Sequence, residues 1–186
     1  NTTKKKVVIL APTGVAAINV GGQTIHSFFH FKPDVTLAAI KKKKSTAKEK
    51  TSIYKKLTTI VIDEVSMVRA DLLDCVDKFL RLNGPNSKRP FGGVQMIFIG
   101  DLYQLPPVVT SRERDIFQSY YSSPYFFSAK ILEQLDMEFV ELEKVYRQKD
   151  NEFIRLLNAI RNNSITDDDI ALFNKRHDSQ FTAPSG

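Results

Sequence analysis

Apolar residues along this chain fall into two patterns, short continuous runs and longer stretches with helical spacing. Runs of strand length occur at residues 4–11, 57–63 and 94–100, and residues 137–142 alternate between apolar and polar as a further strand. Helical spacing occurs at 12–20, 69–82, 128–135 and 152–161, and residues 24–31 begin as a further helix. Thr166 and Asp169 have the spacing of a capping box for a last helix. Because strands and helices alternate, the pattern predicts an α/β fold built on a parallel sheet.

The size and composition are those of a globular protein. The 186 residues are 42% hydrophobic and include 13 Phe, which is ample for a packed core. The longest apolar run is strand-sized and no signal-peptide core follows residues 1–6, so we expect no membrane segment. Cys75 is the single cysteine, lies among apolar residues and is expected in the core. We therefore expect a cytoplasmic protein, nuclear or mitochondrial if eukaryotic.

Positive charge is concentrated in one insertion. Residues 41–56 contain eight Lys and one Glu, a local net charge of +7 in a chain whose total is +6. The basic character therefore belongs to this segment and not to the whole chain. Two interpretations stay open: a solvated loop without a partner, or a surface that adds nonspecific affinity for nucleic acid.

Candidate chemistry follows the predicted strands, because ligands of open parallel sheets collect at the carboxyl ends of the strands. The strand that ends at Ile62 delivers Asp63 and Glu64. In nucleotide hydrolysis, one carboxylate of such a pair holds Mg²⁺ while its neighbour positions and deprotonates the attacking water. A solvated acidic turn is the alternative interpretation.

Two later segments offer groups that suit the same reaction. The strand that ends at Ile99 is followed by Gln104, whose amide can donate to a γ-phosphate or orient the water, and by the stiff pair Pro106 and Pro107. Near the end of the last predicted strand, Arg147 can neutralise charge on a transferred phosphoryl group. Taken alone, the Gln104 segment is equally explained as a surface loop that ends in prolines, and Arg147 as a surface or helix-capping residue.

The turn after the first predicted strand offers a different kind of site. Backbone N–H groups at Thr13 and Gly14 open a helix and suit a phosphate, while His26 and Phe28 can stack on or buttress bases of a single strand. Core packing is the alternative for Phe28. The pattern GxxxxGK[ST] is absent from the 186 residues, so this turn is not a Walker A loop.

Four segments, in this order, resemble the Pif1-like branch of superfamily 1B helicases and look similar to the RecD-like enzymes. They are APTGVAAINVGGQTIHSFF at 11–29, VIDEVSMV at 61–68, FGGVQMIFIGDLYQLPPV at 91–108 and LEKVYRQ at 142–148. The block with GDLYQLPPV is quite specific, and the four together are much more specific than any one. The resemblance extends to about Arg161.

This resemblance implies roles for the residues that match the family's motifs. Motif II implies Asp63 as the Mg²⁺ ligand and Glu64 as the general base of ATP hydrolysis. Motif III implies Gln104 as the γ-phosphate sensor, and the YRQ block implies Arg147 as an arginine finger, so both also contact ATP. With the phosphate argument above, motif Ia assigns single-stranded DNA to Thr13, Gly14, His26, Ser27 and Phe28.

The resemblance also implies a RecA-like fold, a parallel sheet flanked by helices, that is incomplete here. Family members carry the Walker A loop just upstream of motif Ia, and that strand, loop and helix are missing from these residues. We expect residues 1–162 to form part of motor domain 1A, with the insertion at about 41–56. Residues 163–186 are expected to lead towards an absent second motor domain. The 186 residues alone are expected to be inactive.

The implied activity is ATP-dependent 5′ to 3′ translocation on single-stranded DNA with duplex unwinding. The implied partners are ATP, single strands and DNA junctions, the implied state is a monomer, and the implied processes are DNA repair, recombination and telomere maintenance. The alternatives are a RecD-like or relaxase-associated helicase, or a noncatalytic nucleic-acid-binding module derived from a helicase.

Overall fold

A parallel sheet organises the larger part of the chain. The computed structural model describes residues 5–42, 51–111, 113–142, 144, 146, 150–175 and 177–182. The strands are β1 (Val7–Ala11), β2 (Gln23–Thr24), β3 (Thr59–Ile62) and β4 (Gln95–Phe98). They lie in the order β2-β1-β3-β4, and every pair of neighbours is parallel. The predicted α/β class with a RecA-like parallel sheet is confirmed.

Helices connect and follow these strands. The α-helices are α1 (Gly14–Asn19), α2 (Ile25–Phe29), α3 (Thr51–Lys56), α4 (Ala70–Asn83), α5 (Arg114–Tyr120), α6 (Asn151–Arg161) and α7 (Asp167–Asn174). Short 3-10 helices cover Leu37–Ala39, Val65–Met67, Pro90–Gly93, Phe126–Ser128 and Lys130–Gln134. No helix in these described ranges is both long and apolar enough to cross a bilayer.

The sheet has one covered and one open face. Alternate residues along a strand point to opposite faces, and the inner face carries Leu10, Ile60 and Ile62, each 0% exposed. This face packs with residues of α2, α3 and α4 in one hydrophobic core. On the outer face, Val7 and Ile97 remain 52% and 39% exposed. Packing on the inner face therefore fixes the strands whose following residues are the candidates for the functional site.

The end of the Lys-rich insertion is anchored in the core. Tyr54 of α3 is 2% exposed, and its hydroxyl donates to the carbonyl of Phe28 over 2.8 Å. Its ring packs against Phe29 and Phe79 in an aromatic cluster. Residues 51–56 of the insertion are therefore a packed helix, and the interpretation as a solvated loop does not hold for them. Residues 43–50 lie outside the described ranges.

Two buried carboxylates of α4 fix the segments packed against it. Asp74 accepts from the Tyr121 hydroxyl at 2.9 Å and from the N–H of Ile131 at 3.0 Å. Asp77 accepts from the N–H of Phe91 and pairs with Arg81 at 2.8 Å. Cys75 is buried between them as predicted, and burial raises the pKa of its thiol to about 12. The sequence did not identify either Asp as structural.

Two expectations for the later segments need correction, and one helix was not predicted. Residues 128–135 contain a short 3-10 helix (Lys130–Gln134), whose first N–H groups bind Asp74, and not the predicted α-helix. Residues 137–142 form no strand, because alternation alone does not suffice without a neighbouring strand to pair with; Phe139 stays 87% exposed. Helix α5 was not predicted, since its region reads as a polar connection.

The chain divides into two units, Asn1–Met137 and Glu138–Gly186. In the second unit, the predicted capping box of α7 is confirmed: Thr166 Oγ1 accepts from the N–H of Asp169, and the Asp169 carboxylate accepts from the N–H of Thr166. Arg155 of α6 pairs with Asp169 at 2.7 Å and so ties the two helices together. The expected functional boundary between 162 and 163 stays a prediction.

Candidate nucleotide and DNA site

The carboxyl ends of β1, β3 and β4 lie side by side and bring the predicted catalytic segments together. The N–H of Asp63 donates to the Leu10 carbonyl over 2.9 Å, which continues the pairing of β1 and β3. On the other side, the N–H of Ile99 donates to the Ile62 carbonyl over 2.9 Å. Since all strands are parallel, the turns that follow them leave from the same edge of the sheet. We call this the carboxyl edge.

The turn at Glu64 has an uncommon backbone conformation. Glu64 has φ 51° and ψ 43°, the left-handed region that few residues other than glycine occupy. The following N–H, of Val65, donates to the Ile99 carbonyl over 2.9 Å and holds this conformation against β4. Residues held in such regions cost of the order of 1–3 kcal/mol and cluster at functional sites. This strain was not visible in the sequence, and it favours the catalytic interpretation of the acidic pair over a solvated turn.

Gly100 lets the Glu64 turn and the Gln104 loop approach closely. A Cβ atom at position 100 would lie 2.9 Å from the backbone nitrogen of Val65 and 3.3 Å from that of Ser66. Any larger residue would therefore push the two turns apart. The sequence places this glycine directly after the strand, but the need for it appears only in three dimensions.

Asp101 organises the loop that carries Gln104. Its carboxylate accepts from the backbone N–H of Tyr103 at 3.0 Å and from the side-chain amide of Gln104 at 3.4 Å. Its carbonyl accepts from the Gln104 N–H at 3.1 Å. The Gln104 side chain is thus exposed at the carboxyl edge with its amide group oriented by a neighbouring carboxylate. Asp101 was not predicted from the sequence, although an Asp before such a turn is a recognisable signal.

The far end of the same loop is also tied to the segment after the acidic pair. Arg69 binds Asp71 at 2.7 Å and Glu113 at 3.0 Å. The hydrogen bond from Thr110 makes the largest contribution to lowering the pKa of the Glu113 carboxyl, and the hydrogen bond from Arg69 lowers this pKa further. The short stretch from Val65 to Arg69 therefore contacts both ends of the loop. This connection joins residues 44 positions apart and left no signal in the sequence.

The turn after β1 places Thr13 and Gly14 at the same edge. Thr13 Oγ1 accepts from the N–H of Ala16 at 3.2 Å and so caps α1. Gly14 is exposed, and a Cβ atom there would meet nothing within 4 Å. Open space around this backbone leaves room for a bound strand.

The predicted DNA residues of α2 differ in accessibility. Ser27 is exposed, and its N–H donates to Thr24 Oγ1 at 3.1 Å. His26 is half-buried, and this burial lowers the pKa of its imidazole, which favours the neutral ring. Phe28 is 8% exposed and packs edge-on against Tyr54. This packing favours the core role for Phe28, while DNA contact by Thr13, Gly14, His26, Ser27 and Phe28 stays a prediction.

Arg147 lies outside the described residues, so its predicted role stays a prediction. The structure brings Asp63, Glu64 and the Gln104 loop to one edge, beside the turn with Thr13.

The donor set at the carboxyl edge fits a magnesium ion that shares its ligands with a phosphate. Asp63 and Glu64 are half-buried and offer hard oxygen donors. The described ranges contain no cluster of three or more His, Cys, Asp or Glu that would hold a metal by itself. One or two carboxylates together with substrate phosphates is the usual arrangement for Mg²⁺.

Comparison with known proteins gives a consistent family. A model of the PIF1-like helicase family matches residues 1–170. The ATP-dependent DNA helicase RRM3 of Saccharomyces cerevisiae is 33% identical over 166 residues, 89% of this chain and 22% of that protein. The human ATP-dependent DNA helicase PIF1 is 36% identical over 159 residues, 83% of this chain and 23% of that protein.

Solved structures extend the similarity to three dimensions. The Pif1 helicase from Bacteroides in complex with ADP-AlF3 and ssDNA is 38% identical, with a TM-score of 0.87 over 98% of this chain and 42% of that chain. Bacteroides Pif1 bound to ssDNA is 36% identical, with a TM-score of 0.85. The chain thus spans about two fifths of these solved chains and about a fifth of the curated relatives.

Proposed function

Because this chain belongs to the PIF1-like helicase family, we propose that its protein couples ATP hydrolysis to 5′ to 3′ movement along single-stranded DNA and unwinds duplexes ahead of it. The observation that carries the proposal is the carboxyl edge, where the acidic pair and the Gln104 loop meet through the Val65 to Ile99 hydrogen bond. The similar Bacteroides helicase was solved with ADP-AlF3 and ssDNA, which supports ATP and single-stranded DNA as the two ligands of this protein.

In this proposal Glu64 acts on the attacking water. The strained turn fixes its backbone, so the carboxylate can accept a proton from a water in line with the γ-phosphate. Asp63, held to β1 by its N–H, would carry Mg²⁺ jointly with the phosphates. When bound, Mg²⁺ supplies neutralisation of the charge on the phosphate oxygens.

Gln104 and Arg147 read the γ-phosphate. Gln104 presents an amide N–H₂ that can leave Asp101 for a phosphate oxygen, so its loop would respond to the nucleotide bound. Arg147 would act as an arginine finger on charge that develops in the transition state. Val65 contacts one end of the Gln104 loop and Arg69 contacts the other. A movement of the Glu64 turn would therefore move the Gln104 loop, and a movement of the loop would move the turn.

Single-stranded DNA is proposed to pass beside Thr13 and α2. The exposed backbone at Gly14 and the Ser27 side chain offer groups for phosphates, and the neutral imidazole of His26 can donate one hydrogen bond without adding charge. Single strands and DNA junctions are the proposed partners, and a monomer is the proposed state. Action in DNA repair, recombination and telomere maintenance, in the cytoplasm or in the nucleus or mitochondrion of a eukaryote, is part of the same proposal.

Hydrolysis and unwinding assays on the full-length gene product test this function. We expect ATP hydrolysis that single-stranded DNA stimulates, and unwinding of a duplex with a 5′ single-stranded tail but not of one with a 3′ tail. Arg147→Ala should lower kcat with ATP affinity unchanged within a few-fold, because a finger acts on transition-state charge. Hydrolysis indifferent to DNA, or unwinding from the 3′ tail, would contradict the proposal.

A further inference from the structure

The edge of the sheet opposite the candidate site is basic. Because the strands are parallel, the segments that lead into them meet at one edge, which we call the amino edge. These segments carry Lys5 and Lys6 before β1, Lys55 and Lys56 before β3, and Lys88 and Arg89 before β4. All six side chains are exposed.

Backbone hydrogen bonds hold the three segments next to one another. The Lys6 carbonyl accepts from the N–H of Thr58 at 3.1 Å and of Thr59 at 3.3 Å. The Thr58 carbonyl in turn accepts from the N–H of Gln95 at 3.0 Å. Before β4, residues 86–92 fold back on themselves, since the N–H of Asn86 donates to the Gly92 carbonyl at 2.8 Å. The six cations therefore sit on a fixed backbone.

The three segments that carry these cations contain no acidic residue. Residues 5–6, 51–58 and 84–95 contain no Asp or Glu. Within the described part of the chain, none of the six side chains pairs with a carboxylate. Asp63, Glu64 and Asp101 lie at the other edge, about 16 Å away along a five-residue strand. That distance is about two Debye lengths at physiological salt, so the two edges act as separate charges.

The composition of the amino edge selects the partner. Nonspecific binding of single strands combines positive charge with exposed aromatic rings on which bases stack. The two aromatic residues of these segments, Tyr54 and Phe91, are 2% and 1% exposed and cannot serve this purpose. Charge without stacking suits the phosphate backbone of a duplex. We propose that the amino edge binds duplex DNA through its phosphates, a second nucleic-acid surface distinct from the proposed single-strand path. This inference rests on the proposed DNA function.

Charge-matched variants of the full-length gene product test the amino edge. One variant carries Lys55→Gln and Lys56→Gln, a second carries Lys88→Gln and Arg89→Gln, and a control carries Arg114→Gln and Lys175→Gln. Each removes two exposed positive charges. Affinity for a blunt 30-base-pair duplex and for single-stranded oligothymidine is measured from about 50 to 200 mM salt, the range in which phosphate contacts dominate.

We expect each amino-edge pair to flatten the salt dependence for the duplex by about one to two units of slope, since each lost phosphate contact removes about 0.9. The control slope and the single-strand slope should stay unchanged, as should DNA-stimulated kcat at saturating single strands. An amino-edge slope equal to that of the control overturns the proposal. Binding of polyglutamate, which stands for an acidic protein partner, is measured with the same variants. If the amino-edge variants lose polyglutamate binding while their duplex slope stays unchanged, the proposal is also overturned, in favour of an acidic protein partner. A wild-type protein without DNA-stimulated hydrolysis would instead refute the helicase function, whatever the slopes.

Discussion

The two edges of the sheet differ in charge and in how their side chains are held. At the carboxyl edge, a left-handed residue, a glycine at close approach and backbone hydrogen bonds fix the turn that carries Asp63 and Glu64, and Asp101 orients the amide of Gln104. At the amino edge, the backbone is fixed but the cations are exposed and unpaired within the described residues. Chemistry needs placed atoms, whereas phosphate binding by counterion release needs only charge. Substitutions at the carboxyl edge should therefore change turnover, and those at the amino edge should change salt dependence.

The largest expected effect is that the carboxyl edge alone does not bind ATP tightly. The grip on a nucleoside triphosphate comes mainly from Walker A amides with their Lys and Ser or Thr, which these 186 residues lack. We therefore predict that Mg²⁺ and ATP bind the 186-residue chain no tighter than about 1 mM, which corresponds to about 4 kcal/mol. Calorimetric titration measures this. Micromolar binding, or DNA-stimulated phosphate release, would contradict the prediction and make Thr13 and Gly14 the first place to test.

The next largest effect isolates the proposed general base. In a full-length protein with a Walker A loop, Glu64→Gln should keep ATP affinity and lower kcat by about 10²-fold or more, because general-base catalysis contributes about 10²–10⁴-fold. Steady-state hydrolysis and equilibrium ATP binding are measured on the same preparation. The charge-matched control is Glu133→Gln, an exposed carboxylate in the 3-10 helix Lys130–Gln134. Near-normal hydrolysis by Glu64→Gln would remove this residue from the base role.

A smaller effect tests whether the two turns of the carboxyl edge must touch. Gly100→Ala places a Cβ atom 2.9 Å from the Val65 nitrogen, so the Glu64 turn and the Gln104 loop must separate. We expect kcat to fall by about 10-fold with KM within a few-fold, because misplacement by about 1 Å costs up to 10² in rate.

Gly84→Ala is the matched control for Gly100→Ala. Its Cβ atom would lie 2.5 Å from the Leu80 carbonyl oxygen, a comparable collision at the end of α4. This variant should lose stability, read as a lower Tm, but keep kcat. If both variants lower kcat equally at matched Tm, the role of Gly100 is general packing and not the alignment of two turns.

The sequence predicted the elements whose signals are local. Buried strands are nearly all apolar, and α4 shows helical spacing that ends at a Gly-Pro breaker, so both were found. The 137–142 segment misled because alternation is local but pairing is not. The Tyr54 anchor likewise depends on a carbonyl 26 residues away. A pattern within one segment cannot reveal a partner elsewhere in the chain.

The candidate site shows the same division. The identities of Asp63, Glu64 and Gln104 followed from their positions after strands and from the resemblance to a family. The strain at Glu64, the contact across Gly100 and the link from Arg69 to Glu113 required the fold. The candidate groups could thus be predicted from the sequence, whereas the geometry of the turns that carry them required the structure.

The smallest effect asks whether the start of the Lys-rich insertion, Lys41 and Lys42, acts as one surface with the amino edge. Lys41 and Lys42 are exposed and follow Ile40, which is 7% exposed. Lys41→Ser with Lys42→Ser should flatten the salt slope of DNA binding by less than about two units and weaken binding a few-fold at physiological salt. DNA-stimulated kcat should not change, since neither residue belongs to the candidate site. Adding these changes to Lys55→Gln and Lys56→Gln gives a double-mutant cycle. If the changes in slope from the two pairs add, the pairs make separate phosphate contacts on one duplex. If substitution of Lys41 and Lys42 leaves the slope unaltered, these two residues belong to a solvated loop beside the amino edge.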